Sequence, residues 1–563
     1  MLARRKRFLG NFILLSERVK LILICLLFAQ SSHMRPGIIF SLCFVLLSLN
    51  SDYVDARQVE DKVEKKTCKV FLLAGQSNMV GHAVVDLDDP KNYNSGQGNL
   101  ESLFANEKKQ GLVAHLGDGN GNWTKRNDVF IRFQSSKELK VGPLSVGYTN
   151  HDGQHHFGPE LQFGNIVGDH FDEPVLLLKT AWGGKSLDVD FASPSSGKTG
   201  EYYTKMIDEF RQGLEKIESE IPQLAGHELE IVGFVWMQGW NDMCNKEAVG
   251  KYSVNLIRFV NDVREELGIE DLPFVVGELG NGGKAKKQTA MFRFRRQQEE
   301  ACVHSPFVGN VDFVPTIEFA RPADRSPNVT HGHHWFGNAE SYFLVGDALG
   351  KHMLRLMAVD SKTRVLILGD SISIGYTPLV RKLMPETFIV RPMKTARVNE
   401  NCQGTNNGIK NIDKWLAIGG GNWDVIHFNF GLHDLKHVQP DSGKNSNDPN
   451  HPQQANPQQY AKQLEEITVK LKATGAKLIF ATTTPIPEGG VKPRRALGAP
   501  AKYNSIAKEI MKRHGIEVND LNAVVAGREA ELMRPANVHF KPAGSQILAE
   551  RVANSINSVL SAK

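Results

Sequence analysis

The chain has 563 residues, of which 41% are hydrophobic, 23% are charged and 8% are aromatic. This length exceeds what one hydrophobic core usually serves, so two or three globular domains are expected rather than a disordered or fibrous protein. The net charge is +5, but residues 1–56 hold seven Lys/Arg and three Asp/Glu, so the remainder carries only about +1. A nearly neutral body excludes nucleic acids and other polyanions as partners attracted by overall charge.

Residues 1–56 have the layout of a secretory signal or N-terminal extension. Basic residues precede the short apolar runs Leu21–Ala29 and Ile38–Leu49, and small residues suited to cleavage follow at Val54–Ala56. Each run is shorter than the roughly 20 residues of a membrane-spanning helix. The pattern predicts a periplasmic or secreted protein with no stable membrane insertion after cleavage and with Met34 as its true start. A single membrane anchor is the alternative.

Four cysteines lie beyond this segment, at Cys68, Cys244, Cys302 and Cys402. They are far apart and show no CxxC spacing, which argues against a zinc site. No metal and no cofactor are predicted. Export would permit disulfides, but the sequence does not pair these four residues.

Short apolar runs alternate with amphipathic patterns along the rest of the chain, and the alternation starts again near residue 364. This predicts α/β architecture with parallel sheets covered on both faces, in two domains at 67–357 and 363–563. The boundary is expected at Ala358–Thr363, where a helix ends. The expected strands are Lys69–Ala74, Val175–Leu178, Ile231–Met237, Phe274–Gly277, Arg364–Leu368, Asp424–Asn429 and Lys477–Thr482. The expected helices are Tyr202–Ile217, Tyr252–Leu267, Tyr460–Ala473, Tyr503–His514 and Ala543–Leu560.

Ser77 follows the first expected strand directly, in the segment Ala74-Gly-Gln-Ser-Asn-Met79. Ligands of open parallel sheets gather at the carboxyl ends of the strands, so this serine is a candidate nucleophile. Its position at a helix start also places backbone N–H groups where an oxyanion would form. Taken alone, the residue is an ordinary helix N-cap serine, and only the neighbouring segments favour a nucleophile.

Three further segments of the first domain carry polar or glycine residues at expected strand ends. Gly184 lies in a glycine pair whose backbone can approach a substrate, and Gln238 or Asn241 could donate a side-chain amide proton to an oxyanion. His334 belongs to a histidine cluster before the last helix and could act as the general base for Ser77. The alternatives are an ordinary glycine turn, polar groups that satisfy loop backbone and a structural histidine.

These segments resemble the sialate O-acetylesterase-like family of the SGNH superfamily, which is related to carbohydrate esterases that deacetylate xylan. The resemblance rests on Gly75-Gln-Ser-Asn-Met79, Trp182-Gly-Gly184 and Gln238-Gly-Trp-Asn-Asp242, and it covers roughly residues 67–357. It implies a flavodoxin-like three-layer fold and a carbohydrate esterase that removes O-acetyl groups.

The same resemblance implies roles for individual residues of the first domain. Ser77 would be the nucleophile, His334 the base, and the Ser77 N–H, the Gly184 N–H and Gln238 the oxyanion hole. Two positions depart from the family pattern. Trp240 stands where many relatives have glutamate, and His331 stands where an acid commonly precedes the histidine by three residues. The triad acid is therefore left open among Asp242, Glu318 and Glu340, or a Ser–His dyad is formed.

The second domain carries Leu368-Gly-Asp-Ser-Ile-Ser373 after its first strand, which resembles the GDS block of the GDSL/SGNH hydrolases. The resemblance implies Ser371 as nucleophile, His539 as base and Gly404 as the glycine of the oxyanion hole. His433 replaces the usual oxyanion asparagine and can still donate an N–H. The aspartate expected before the last histidine is replaced, since Ala536 and Asn537 occupy its likely places.

Two kinds of function are open for this second domain: an esterase with a changed site, or a degenerate domain that binds substrate or stabilises the protein. The polar loop His437–Pro457 is either a surface insertion or a wall of its site. For the whole chain we expect an O-acetylesterase acting on acetylated sugar, of the sialic acid or xylan type. The rivals are a glycan-binding protein with decayed sites and a GDSL-type lipase or thioesterase.

Overall fold

The computed structural model describes residues 66–359 and 362–561. The predicted signal segment at 1–56, with its two cysteines, lies outside the described residues. Cys68, Cys244, Cys302 and Cys402 are all free thiols. Within 66–359 and 362–561, no helix combines the length and apolar character needed to cross a membrane.

The N-terminal region is built on a seven-stranded sheet with a small two-stranded ribbon beside it. Its strands are β1 (Thr67–Gly75), β2 (Ala83–Val84), β3 (Val129–Gln134), β4 (Leu139–Pro143), β5 (His156–Phe157), β6 (Val175–Ala181), β7 (Glu228–Met237), β8 (Phe274–Gly277) and β9 (Val311–Val314). The sheet order is β4-β3-β6-β1-β7-β8-β9, and only the edge pair β3–β4 is antiparallel. β1 therefore pairs with β6 on one side and β7 on the other, so the strand order reverses there.

Helices cover both faces of this sheet. They are α1 (Ser77–Val80), α2 (Leu100–Phe104), α3 (Gln110–Val113), α4 (Glu160–Gly168), α5 (Glu201–Glu220), α6 (Trp240–Met243), α7 (Lys246–Leu267), α8 (Ala290–Cys302) and α9 (Ala339–Met357). Side chains of β1 alternate between two cores. Phe71 and Leu73 pack with α4 and α9, whereas Val70 and Leu72 pack with α5 and α7. This alternation is what the period of two of a strand requires in a three-layer domain.

The C-terminal region repeats the architecture on a fully parallel five-stranded sheet. Its strands are β10 (Thr363–Leu368), β11 (Thr387–Val390), β12 (Met393–Thr395), β13 (Val398–Asn399), β14 (Val425–Phe428), β15 (Lys477–Ala481) and β16 (Glu517–Asn519). The order β11-β10-β14-β15-β16 is the flavodoxin-like order 2-1-3-4-5, with β12 and β13 forming a separate hairpin. Ligands of such sheets bind beside the carboxyl end of the first strand, where the order reverses.

Seven helices accompany the second sheet: α10 (Ser371–Leu383), α11 (Thr405–Leu416), α12 (Pro457–Ala473), α13 (Ala499–His514), α14 (Leu521–Val525), α15 (Glu529–Leu532) and α16 (Pro542–Ser561). α10 packs on α16, while α11, α12 and α13 pack in succession. The predicted fold class is thus confirmed in both halves. Every strand and helix that the sequence predicted is present, with ends that differ by up to six residues, as at the start of α7.

The strands β3, β4, β9, β11 and β16 and the helices α4 and α8 were not predicted. β9 has four residues and β16 has three, so neither offers enough positions for a period to be recognised. α9 ends at Met357 and β10 begins at Thr363, and the domain limits placed on either side of this gap stay predictions.

A buried ion pair holds the first nucleophile turn against the sheet. The side chains of Lys179, on β6, and Glu160, at the start of α4, are both fully buried and 2.8 Å apart. Lys179 Nζ also donates to the carbonyl oxygens of Val80 and Tyr148, at 2.9 and 2.8 Å. Because Val80 ends the short helix that begins at Ser77, one ammonium group links the sheet, α4 and the nucleophile helix.

Removing one partner of this pair is predicted to destabilise the first domain strongly. Glu160→Gln leaves the Lys179 charge buried and uncompensated, which costs about 3–5 kcal/mol. The control is Asp152→Asn, which breaks the exposed Lys137–Asp152 pair, whose side chains are 58% and 83% exposed; it should change stability by less than about 0.5 kcal/mol. Native-state hydrogen exchange of the β1 and β6 amides measures both variants. Equal protection in the two variants would contradict the role given to Lys179.

Candidate functional site

Ser77 lies at the carboxyl end of β1 as predicted, 8% exposed, at the first position of α1. A Cβ on Gly75 would lie 2.1 Å from the Met237 carbonyl oxygen, so only glycine lets β1 and β7 approach here. The glycine loop after β6 reaches the nucleophile, since a Cβ on Gly183 would lie 3.9 Å from Ser77 Cβ. Gly184 has a φ of +69° and open space around it. We define the first site as Ser77, Gly184, Gln238 and His334, of which the first three follow the carboxyl ends of β1, β6 and β7.

Gln238 is buried with its amide fully engaged. Its Nε2 donates to the Lys185 carbonyl at 3.0 Å and to Asp242 Oδ2 at 2.5 Å, while its Oε1 accepts from the Tyr252 hydroxyl. The two amide protons are therefore already committed within the protein. Asn241 Nδ2 donates to the Gly184 carbonyl at 2.6 Å, and its second amide proton has no acceptor among the described residues.

Asp242 is a positioning carboxylate. It accepts the backbone N–H groups of Leu187 and Asp188, both at 2.9 Å, as well as the Gln238 amide. Burial raises its pKa. Its oxygens fix the loop that follows Gly184, so this candidate for the triad acid is occupied elsewhere.

The other two candidate acids also make ion pairs away from the histidines. Glu340 pairs with Lys109 and Arg321, and Glu318 pairs with Lys284. The structure thus gives none of the three a histidine partner.

The histidine loop of the first site comes next to the nucleophile turn in a strained conformation. Asn78, the residue after Ser77, donates from its Nδ2 to the His333 carbonyl at 3.1 Å. Trp335 and Phe336 have φ values of +54° and +55°, which bulky side chains rarely adopt. Ser77 Oγ makes no hydrogen bond to any residue that the structure describes, His334 included. The predicted Ser77–His334 pairing stays a prediction that needs a rearranged loop.

His334 lies in a cluster of five imidazoles, called here the histidine stack, that the sequence did not reveal. The rings of His156 and His151 stack at 3.8 Å, as do those of His82 and His334. His82 meets His151 edge-to-face, and His333 lies tilted at 4.0 Å from His334. His151 Nε2 and His82 Nδ1 are 3.1 Å apart and join the two stacked pairs. Burial, and then the neighbouring imidazoles, lower the pKa of His82 to about 2 and that of His334 to about 3. Within the described residues, no group of three or more His, Cys, Asp or Glu side chains could hold a metal ion.

The second site, defined as Ser371, Gly404, His433 and His539, contains a complete hydrogen-bonded pair. Ser371 begins α10 directly after β10, and Asp370 caps the helix by accepting the Ile372 N–H at 2.9 Å. His539 lies before α16, and its Nε2 is 2.9 Å from Ser371 Oγ. The last and the first segments of this region therefore meet at the edge where β10 ends.

Asn537 orients the imidazole. Its Oδ1 is 2.7 Å from His539 Nδ1 and also accepts the backbone N–H of His539 at 3.0 Å. A backbone N–H only donates, so the atom at this place is the oxygen and not the amide nitrogen. Nδ1 must then carry the imidazole proton, which leaves Nε2 free to accept the Ser371 hydroxyl proton. A neutral amide thus does the orienting work that an acid does in a Ser-His-Asp triad.

Gly404 precedes α11, and Asp434 holds it in place. Asp434 Oδ1 accepts the Thr405 N–H at 2.8 Å and the Thr405 hydroxyl at 2.6 Å. A Cβ on Gly404 would lie 2.8 Å from both carboxylate oxygens, which excludes other residues here. The Cys402 N–H donates to the Gly369 carbonyl, so the loop is also tied to the nucleophile turn. Burial raises the pKa of Asp434 to about 7.

His433 precedes Asp434 and is a neutral imidazole. Burial, and then the charges of Lys436 and Arg495, lower its pKa to about 3. Its Nδ1 is buried without a hydrogen-bond partner in the described chain. A neutral imidazole keeps one N–H, so His433 can donate to a developing oxyanion.

Two family models match the chain, one in each region. The model described as carbohydrate esterase, sialic acid-specific acetylesterase, matches residues 67–343, and that of the GDSL-like lipase/acylhydrolase family matches residues 367–547. The chain is a serine hydrolase of carboxylic esters. Both predicted family resemblances are thereby confirmed for this hydrolase. No curated protein matches it.

Solved structures similar to parts of the hydrolase have low identities. A protein from Arabidopsis thaliana is 17% identical with a TM-score of 0.34, and the match covers 51% of this chain and 98% of that one. A carbohydrate acetylesterase from Xanthomonas citri is 16% identical with a TM-score of 0.30, covering 50% and 56%. A lipase/acylhydrolase from Enterococcus faecalis is 19% identical with a TM-score of 0.28, covering 35% and 96%.

Lowering the pH is predicted to destabilise the first domain through the histidine stack. The folded pKa values lie below the unfolded value of about 6.5, so the unfolded chain takes up protons first and stability falls as the pH drops below 6.5. For His82 alone the loss at pH 5 is about 2 kcal/mol. Hydrogen exchange of β2 and β5, corrected for intrinsic rates, should show less protection at pH 5 than at pH 7.5. The dependence of this protection on pH should be weaker in His82→Gln and unchanged in His170→Gln, which alters a histidine outside the stack. An unchanged pH dependence in His82→Gln would rule out the stack as its source.

Asn537 is predicted to control the pH profile through His539. Burial, then Arg534 and Arg495, lower the pKa of His539, so the neutral base persists below pH 6.5 and the acid limb of kcat/KM lies there. Asn537→Asp adds a negative charge at Nδ1 and should move this limb to higher pH. Asn537→Ala frees the ring and should lower kcat by about tenfold or more. Asn450→Asp, in an exposed loop, is the control; an identical shift of the limb in both aspartate variants would disprove the contact.

Proposed function

We propose that this hydrolase removes O-acetyl groups from acetylated carbohydrates by acyl transfer through Ser371, with His539 as general base. The observation that carries the proposal is the 2.9 Å contact between Ser371 Oγ and His539 Nε2, with Nδ1 held by Asn537. A nucleophile, a base in the required tautomer and an orienting group are thus already in place without substrate.

The chemistry begins with transfer of the Ser371 proton to His539 Nε2 as Oγ attacks the ester carbonyl. The resulting imidazolium keeps its Nδ1–H on Asn537 Oδ1. It then gives the Nε2 proton to the departing sugar hydroxyl, which leaves an acetyl–serine. Water, deprotonated by the same imidazole, hydrolyses the acyl-enzyme and releases acetate.

The oxyanion of each tetrahedral intermediate needs fixed donors. We assign this role to the backbone N–H groups of Ser371 and Gly404 and to the imidazole N–H of His433. Removal of one such donor typically costs 10²–10³ in kcat in serine hydrolases. Because His433 is neutral, it can donate without holding the oxyanion as a permanent ion pair.

Two roles are open for the first site. Ser77 with His334 is a second acylation centre once the histidine loop moves, with Gly184 and, in the predicted arrangement, Gln238 as donors. Alternatively the first domain binds the glycan and the second cleaves the ester. The free Ser77 hydroxyl and the engaged Gln238 amide favour the binding role.

The substrate class and the location are part of the same proposal. The match of residues 67–343 to a carbohydrate esterase model supports acetylated sugar, of the sialic acid or xylan type, over a long-chain lipid or thioester. The pattern of residues 1–56 supports a periplasmic or secreted enzyme.

Serine variants test where the chemistry occurs. Ser371→Ala should lower kcat by about a thousandfold or more, because the base loses its only nucleophile. Ser77→Ala should stay within about threefold of the parent. Acetate release from 4-nitrophenyl acetate, acetylated xylo-oligosaccharides and O-acetylated sialic acid measures both. A loss confined to Ser77→Ala would move the reaction to the first domain, and a parental rate in the double variant would refute a serine mechanism at either site.

A further inference from the structure

The loop after β15 brings a buried arginine to the second site. Arg495 is 9% exposed, and its Nε donates to the Leu432 carbonyl at 2.8 Å, one residue before His433. Its Nη1 donates to the Pro493 carbonyl at 3.2 Å. Nη2 has no partner among residues 66–359 and 362–561, and no carboxylate of those residues pairs with this guanidinium. A desolvated cation with a free donor needs compensation.

Lys436 is a second cation beside the same imidazole. Its side chain is half-buried and forms neither a hydrogen bond nor an ion pair with any described residue. Burial, and then the charge of Arg495, lower the pKa of Lys436. The Lys436 backbone N–H donates to the His433 carbonyl at 3.4 Å, so the residue lies next to this histidine, and the charges of both cations act on the imidazole. Like charges close together, with no carboxylate ion-paired to either among the described residues, mark a place where an anion would be stabilised.

The acids of the second site act on these cations through charge, Asp370 on Arg495 and Asp434 on Lys436, but form no ion pair with either among the described residues. Asp370 is buried and bonded to the Ile372 N–H, and Asp434 is bonded to Thr405. Burial raises the pKa of both acids. Their oxygens therefore hold the nucleophile turn and the glycine loop rather than Arg495 or Lys436.

The long polar loop keeps the arginine in position. The Arg494 N–H donates to the Ser446 carbonyl, and the Arg494 carbonyl accepts the His437 N–H, both at 3.0 Å. The backbone beside Arg495 is therefore held on both sides by the segment 437–457. A cation on a fixed backbone loses little entropy when a ligand binds.

We propose that Arg495 and Lys436 form an anion subsite of the second active centre, which therefore prefers esters that carry a carboxylate near the scissile bond. The subsite rests on the proposed role of Ser371. The carboxylate belongs either to the alcohol portion, as in an acidic sugar, or to the acyl portion, as in a half-ester of a dicarboxylic acid. Arg495 Nη2 donates to one carboxylate oxygen, and the Lys436 ammonium balances the charge.

Paired esters that differ only in charge test the subsite. For the alcohol side the pair is 4-acetoxybenzoate and its methyl ester; for the acyl side it is 4-nitrophenyl hydrogen adipate and its methyl ester. The full chain carrying Ser77→Ala is used, so that only the second site turns over, and the readout is the ratio of kcat/KM for the charged ester to that for the neutral one. We expect the ratio for one pair to exceed that for the other and to fall about tenfold or more in Arg495→Gln.

Three further variants separate the subsite from a general effect. Arg495→Lys should keep part of the ratio, Lys436→Gln should lower it, and Arg494→Gln, at an exposed neighbour, should preserve it. The ratio should also shrink at high salt. A ratio that Arg495→Gln and Lys436→Gln both leave unchanged overturns the subsite while leaving the Ser371 mechanism intact. Neutral-ester turnover that survives Ser371→Ala in this background overturns both.

Discussion

The hydrogen bond between Ser371 and His539 is the interaction on which the proposed chemistry of this protein depends. It joins residues 168 positions apart, at the two ends of one domain. The parallel sheet makes this contact possible. Ser371 follows the carboxyl end of β10, and the segment before α16 places His539 at the same end of the sheet. Asn537 orients the imidazole of His539. Its Oδ1 fixes the ring proton on Nδ1, which leaves Nε2, the atom next to Ser371, as the base of the proposed mechanism.

In both domains a buried aspartate holds the glycine loop, but among the described residues a hydrogen bond between the candidate serine and histidine is found in the second domain alone. Asp242 follows β7, which pairs with β1, and Asp434 follows β14, which pairs with β10. Asp242 accepts two backbone N–H groups of its glycine loop, and Asp434 accepts one. Burial raises the pKa of both carboxyls. Conformation of the oxyanion loop is thus maintained by a buried acid in each half, while the nucleophile–base contact is present only in the second.

The first domain departs from this plan at its histidine loop. His334 stacks on His82, and the two residues that follow it have left-handed backbone. Such strain persists only where surrounding contacts maintain it, and here the imidazole stack and the Asn78–His333 bond do so. The same contacts that order the loop hold His334 in the stack.

Much of this arrangement could be predicted from the sequence, because strand ends and the blocks around Ser77 and Ser371 are local patterns. The parallel sheets and the positions of Ser77 and Ser371 at strand ends followed from them, while the flavodoxin-like order and the choice of His539 came from the family resemblance. The rest depends on contacts between distant segments. His82, His151 and His156 come together only in the fold, the engagement of Gln238 depends on Tyr252 and Asp242, and Arg495 lies in a loop without any spacing signal.

Covalent labelling tests the central claim, that His539 activates Ser371, most directly. The full chain is treated with a fluorophosphonate, which reacts with activated serines, and the labelled peptides are identified by mass spectrometry. The account predicts rapid labelling of Ser371 that is lost in His539→Ala, with much slower labelling of Ser77. Rapid labelling of Ser77 alone, or labelling of Ser371 that is insensitive to His539→Ala, would contradict it.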